Sequence, residues 1–145
     1  MPKQTGPTQT GPTPAGPTQT GPTQTGPTPA GPTPTELRYS RESRALVVAF
    51  ADGVRFELPA EYLRVESPSA EVQGHGPGQK VIVAGKSWVG IERIEPVGHY
   101  AVRLGFSDGH DSGIFSWEIL HRLGREHADR WAEYERALLL RGLSR

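Results

Sequence analysis

Six Gly-Pro-Thr triplets, starting at Gly6, Gly11, Gly16, Gly21, Gly26 and Gly31, recur at a strict five-residue period. The repeat confines any folded structure to the rest of the chain. After Met1 and up to Pro34, no side chain exceeds lysine or glutamine in size, and Lys3 carries the sole charge. Such a segment has too little apolar surface to offset its chain entropy. A triple helix needs glycine at every third residue, so a period of five excludes collagen. Each proline fixes φ and each glycine frees it, which predicts an interrupted, polyproline-like coil. Residues 1–34 are therefore read as a disordered tail and residues 35–145 as the domain. The tail offers no Pro-x-x-Pro with a neighbouring arginine, so an SH3-type ligand is not indicated.

Composition then removes whole classes of function. Lys+Arg and Asp+Glu are balanced at 16 each, against bulk electrostatic binding of nucleic acid or anionic membrane. No apolar run approaches the roughly 20 residues of a membrane span. Lys3 is not followed by an apolar segment, so no secretory signal is expected. The chain has no cysteine, which excludes disulfides, thiolate metal sites, iron–sulfur ligation and thiol nucleophiles. The expected compartment is the cytoplasm.

Within 35–145, Leu37 and Tyr39 alternate with polar residues, and Ala45–Phe50 is a near-continuous apolar run. Asp52-Gly53 is a strong hairpin signal, after which Val54, Phe56 and Leu58 continue with period two. Pro59 suits a helix start, with Ala60, Tyr62 and Leu63 making one or two turns. Residues 66–80 read as a long loop, of the kind often tied to function. Strands are expected to resume at Val81-Ile-Val83, at Val89, Ile91 and Ile94, and over Tyr100–Phe106. Asp108-Gly109 makes a second hairpin leading to Ile114-Phe115. Ser116 is a plausible N-cap for a helix ending at Gly124, and Trp131, Tyr134 and Leu138 mark a last helix stopped near Gly142. The fold class expected is α+β: a small antiparallel meander, a short helix after the third strand, and two C-terminal helices packed on the sheet.

An ordered series of motifs becomes recognisable along this frame. It comprises Asp52-Gly53, Leu58-Pro-Ala-Glu-Tyr-Leu-Arg64, Ser67-Pro-Ser-Ala-Glu-Val-Gln-Gly-His75, Ile94-Glu-Pro-Val-Gly-His-Tyr-Ala-Val102 and Phe106-Ser-Asp-Gly-His-Asp-Ser-Gly-Ile-Phe-Ser-Trp117. Over nearly all of 35–145 the chain resembles the γ-butyrobetaine hydroxylase-like N-terminal domain family. In the hydroxylases a Cys-x-Cys-x-x-Cys element and a downstream histidine hold a structural zinc. By that resemblance the thiolate positions fall at Ser67, Ser69 and Val72, and the histidine at His110. Zinc favours thiolate or imidazole. A neutral hydroxyl is a poor replacement and valine has no lone pair, so the family's zinc role does not carry over. The resemblance further implies an accessory domain whose partner is another protein, oxygenase-like or an iron–sulfur carrier.

If the geometry is kept, the 67–75 loop lies beside the Asp108–Gly113 turn and gathers His75, His110, Asp108 and Asp111. Two imidazoles and a carboxylate are a donor set for zinc or iron. The competing reading has His110 hydrogen-bonding the turn and Ser67 or Ser69. Three functions follow: a non-enzymatic docking module with His75, Lys86 and His110 as polar anchors, a small His/Asp metal protein, or an enzyme pairing His110 with Asp108 or Asp111.

Other signals are weaker. His127-Ala-Asp129 matches half of an oxygenase iron triad, but no histidine follows it and the jelly-roll domain is absent, so no oxygenase activity is expected. Gly85-Lys86-Ser87 lacks the first glycine of a phosphate loop, since Lys80 stands there. No Gly-x-Ser-x-Gly elbow accompanies the serines. His121 and His127 are expected on solvated helix faces. Trp88, Trp117 and Trp131 are expected in the sheet–helix core, and Glu118–Arg122 and Glu126–Arg130 as surface pairs.

Overall fold

The computed structural model describes residues 31–74 and 78–145, together with the backbone of Gly16–Pro17 and Gln19–Thr20. The chain divides into two units, residues 1–32 and 33–145. In the first, the described backbone is a two-residue parallel pairing of Gly16–Pro17 with Gln19–Thr20. Apart from those four residues and residues 31–34, the disordered-tail reading falls outside the described residues.

The second unit begins with an antiparallel meander of β1 (Pro34–Ser40), β2 (Ala45–Phe50) and β3 (Arg55–Pro59). Its register places Leu37, Val48 and Phe56 in one row and Tyr39, Leu46 and Leu58 in another. The two rows lie on one face because side chains alternate with period two. That face enters the core, where Leu46 and Val48 are fully buried. The β2–β3 turn uses Gly53 at φ +93°, while the Asp52 carboxylate accepts the Val54 amide at 3.1 Å, as Asp-Gly chemistry requires. Pro59 then caps the short helix α1 (Ala60–Val65) in extended conformation. α1 buries Tyr62, whose hydroxyl donates to the Leu123 carbonyl at 2.7 Å.

A second meander follows: β4 (Ile91–Val97), β5 (Ala101–Phe106) and β6 (Gly113–Ser116). The α+β architecture with a helix after the third strand is as expected, and its strands divide into two three-stranded antiparallel sheets. Val102, Leu104 and Phe115 join residues of the first sheet and of α3 (Trp117–Arg125) in one core. Ser116 caps α3, its hydroxyl accepting the Ile119 amide at 3.1 Å. α4 (His127–Leu140) follows after a one-residue break and ends before Gly142 at φ +66°.

Six local expectations are corrected. Val81-Ile-Val83 forms no strand. Ile82 and Val83 pack instead against Val65, Tyr134 and Leu138, while the Tyr134 hydroxyl donates to the Val83 carbonyl at 2.6 Å. Within the 66–80 loop lies a four-residue helix, α2 (Ala70–Gln73), capped by the Ser69 hydroxyl. Gly124 does not end α3 but sits inside it, where an added Cβ would collide with the Phe56 ring. Trp88 is 52 % exposed and is no core residue, whereas Trp117 and Trp131 do pack on the core. Nor are the helical histidines merely solvated. His121 packs edge-on to Phe50 at 4.8 Å and His127 stacks on Tyr62 at 4.3 Å. Glu126–Arg130 is paired at 2.7 Å, whereas no Glu118–Arg122 pair forms among the described residues.

Candidate functional site

The second hairpin turn places its residues by ordinary turn chemistry. Gly109 takes φ +92°, and the Asp108 carboxylate accepts the His110 amide at 3.2 Å. The His110 side chain thereby points into the junction with the 67–73 segment. Ser67 Oγ lies 3.0 Å from His110 Nε2, and Glu71 Oε1 lies 3.0 Å from His110 Nδ1. A carboxylate only accepts, so Nδ1 carries the proton and Nε2 accepts from the Ser67 hydroxyl. Burial, assisted by the nearby Arg64 guanidinium, holds His110 below its ordinary 6.5 despite the Glu71 carboxylate. The ring is neutral at pH 7, which fits this hydrogen-bond assignment.

The surrounding bonds complete the junction. Ser67 Oγ accepts the Ser69 amide at 3.3 Å, and the Ser67 carbonyl accepts Gln73 Nε2 at 2.8 Å. Ser69 Oγ caps α2 by accepting the Glu71 amide at 3.1 Å and pairs with Ser112 Oγ at 2.8 Å. Val72 is buried in the apolar interior. Two hydroxyls, a valine and an imidazole with both nitrogens engaged do not fit a zinc ion. Of the four positions that the resemblance matches to a zinc site, Ser67, Ser69 and His110 hold hydrogen bonds here and Val72 is buried.

Ser67, His110 and Glu71 also line up as a nucleophile, base and carboxylate would. Ser67 is fully buried, however, and a Cβ on Gly113 would stand only 2.5 Å from its Oγ. No substrate carbonyl could approach the hydroxyl in this arrangement. Chemically, the chain of bonds fastens the 67–73 segment to the β5–β6 turn.

The remaining candidates separate. Asp108 does not face His110's ring; it takes Arg64 Nε and Lys86 Nζ, each at 2.8 Å. Burial pushes its carboxyl up, but the bonds from Lys86, Arg64 and the His110 amide outweigh that and hold it at about 2. Arg64 Nη1 is buried and without a partner among the described residues. Asp111 is exposed and meets Arg93 at 3.3 Å. His75 lies outside the described residues. Among the described residues no three histidine, aspartate or glutamate side chains converge as a metal site would require. Of the three polar anchors, His110 is buried and Lys86 is tied to Asp108, with its ammonium 5.6 Å over the exposed Trp88 ring.

Sequence reasoning did not pick out Glu71, Ser112 or Arg64. Glu71 stands two residues after a serine N-cap, and that short helix signal was its only advertisement.

Two antiparallel meanders sharing a core with a C-terminal helix define a small α+β domain, in which a serine–histidine junction fastens the 67–73 segment to the β5–β6 turn. The match to a family model covers residues 37–121, and the chain belongs to the gamma-butyrobetaine hydroxylase-like, N-terminal family. It is similar to two NMR solution structures. One is 42% identical with a TM-score of 0.70, covering 80% of this chain and 91% of the other. The second is 45% identical, also at 0.70, covering 82% and 89%. The crystal structure of a protein of unknown function of the DUF971 family from Acidithiobacillus ferrooxidans is 47% identical with a TM-score of 0.54, covering 63% and 92%. No curated protein matches.

Proposed function

We propose that this domain is a non-enzymatic accessory module that docks onto another protein. One observation carries the reading. The side chains best suited to chemistry, Ser67, His110 and Asp108, are buried and spent on internal partners, while Trp88 is displayed at the surface beside Lys86. Tryptophan anchors are enriched at the energetic centres of interfaces. An oxygenase and an iron–sulfur carrier, the classes the family resemblance implies, are the first partners to try.

The test is quantitative affinity purification of the full chain from its own host, comparing the wild type with Trp88→Ala. The expected result is a specific partner whose recovery collapses in the variant while the domain's melting temperature is unchanged. A partner set identical for both chains would remove the surface, and a turnover that depends on His110 would remove the non-enzymatic reading.

A further inference from the structure

The face beside Trp88 is a cleft of about 480 Å³ between the β1–β2 hairpin and the approach to β4, lined by Tyr39, Arg41, Arg44, Trp88, Glu92 and Ser107 among others. Its walls are held by specific bonds. Arg44 closes the hairpin at φ +50°, a left-handed conformation that disfavours side chains other than glycine. From there its guanidinium donates to the Trp88 carbonyl at 2.9 Å. The Trp88 indole donates to the Gly85 carbonyl at 2.8 Å, which fixes the ring's direction. Across the cleft the Tyr39 hydroxyl accepts the Ile91 amide at 3.1 Å and occupies the space where a Cβ on Gly90 would stand.

The charges lining this cleft are unbalanced. Neither Arg41 nor Arg44 has a carboxylate within ion-pair distance among the described residues, and Glu92 is the only acidic residue among the lining. Several other charges near the sheets are already paired, as Glu36 is with Arg38 and Arg55, and Asp111 with Arg93. Two guanidiniums without a carboxylate partner among the described residues, beside an exposed indole, offer one carboxylate site and one apolar contact. They do not form the extended cationic track that follows a nucleic-acid backbone.

Resting on the docking reading above, we propose that this cleft takes an acidic segment of the partner protein, with a carboxylate between Arg41 and Arg44 and an apolar side chain against Trp88. Charge complementarity supplies orientation, and the indole supplies the buried anchor.

The experiment is an NMR titration of the isotope-labelled full chain with an acetylated Glu-Glu-Leu-Glu-Glu amide and with its Lys-Lys-Leu-Lys-Lys counterpart. The acidic peptide should give saturable shifts at the Trp88 indole N–H and the Arg41 and Arg44 Nε–H groups. Its affinity should fall about tenfold in Arg41→Glu and with added salt, but less than about twofold in Arg136→Glu, which changes net charge equally on exposed α4. The basic peptide should give no shifts there. The proposal is overturned by any of three results: no saturable change at Trp88 at millimolar peptide, an equal loss in Arg136→Glu, or tighter binding of a single-stranded oligonucleotide or of anionic vesicles at these residues. If the peptide fails while Trp88→Ala still releases the host partner, docking stands and the acidic segment falls. If both fail, both readings fall.

Discussion

Replacing Asp108 by asparagine removes one negative charge and almost no volume from a place where three groups depend on it. The Arg64 guanidinium and the Lys86 ammonium each lie 2.8 Å from the carboxylate, which is 4 % exposed. Asparagine still accepts the His110 amide through its oxygen. Lys86 can turn toward solvent, but Arg64, at 12 % exposure and with Nη1 already unpartnered, cannot leave easily. In the folded chain the carboxyl sits at about 2 rather than its ordinary 3.8, which corresponds to about 2 kcal/mol of stability at neutral pH. The uncompensated arginine adds to this, because removing one partner of a buried pair costs more than the pair's net worth. The expected loss at pH 7 is about 2–4 kcal/mol. For a domain of about 110 residues that lowers the melting temperature by roughly 8–16 °C.

The sign with pH follows from the direction of the shift. A carboxyl with a depressed folded pKa stabilises the fold above its unfolded value, and that contribution is lost as pH falls toward 2. By pH 3 about 1 kcal/mol of the wild-type advantage is gone, so the gap between wild type and Asp108→Asn narrows in acid. Urea melts of both chains at pH 7, 5, 4 and 3 measure it. A gap below about 0.5 kcal/mol at pH 7, or one constant down to pH 3, refutes the reasoning.

Gly124→Ala should lower the melting temperature: alanine gains about 1 kcal/mol of helix propensity, but the collision with Phe56 costs about 1–3 kcal/mol. Adding Phe56→Ala should turn the same glycine replacement favourable, which thermal melts of the four chains resolve. Burial lowers the pKa of both His110 and His127, so the unfolded chain protonates first and stability declines as pH drops below about 6.5. His127→Phe, which keeps the stack on Tyr62, should flatten that decline in melts from pH 7.5 to 5. Exhaustive EDTA treatment should move the melting temperature by less than about 1 °C, and metal analysis should give equal content for the wild type and His110→Ala.

Much of the fold was legible because its signals are local. Asp52-Gly53 and Asp108-Gly109 carry their own turn chemistry, and both glycines sit near φ +90°. Ser116 advertises a cap three residues before the amide it satisfies. What was not legible depends on partners distant in sequence. Val81-Ile-Val83 has a strand's composition, but Ile82 and Val83 pack against Tyr134 and Leu138 of helix α4 instead of pairing in a sheet. Gly124 resembles a helix terminator, yet it is glycine because Phe56, 68 positions earlier, needs the room. The division of six strands into two sheets follows from a 31-residue excursion between Pro59 and Ile91, and nothing in either meander's alternation records it. At the candidate site the turn and the serines could be read. That His110 would choose Glu71 over either neighbouring aspartate depends on where α2 presents its first turn.

The close approach of Gly113 to Ser67 bears on the order in which this junction could change over evolutionary time. Gly113 is not in a left-handed conformation, so space alone holds it as glycine. Any side chain there would displace the Ser67 hydroxyl and break its link to His110. A sulfur at position 67, larger than the oxygen it would replace, would press on the same gap. Position 113 therefore decides whether position 67 is free to explore other chemistry: while glycine persists a bulkier group at 67 has this gap to use, and one methyl group at 113 closes it.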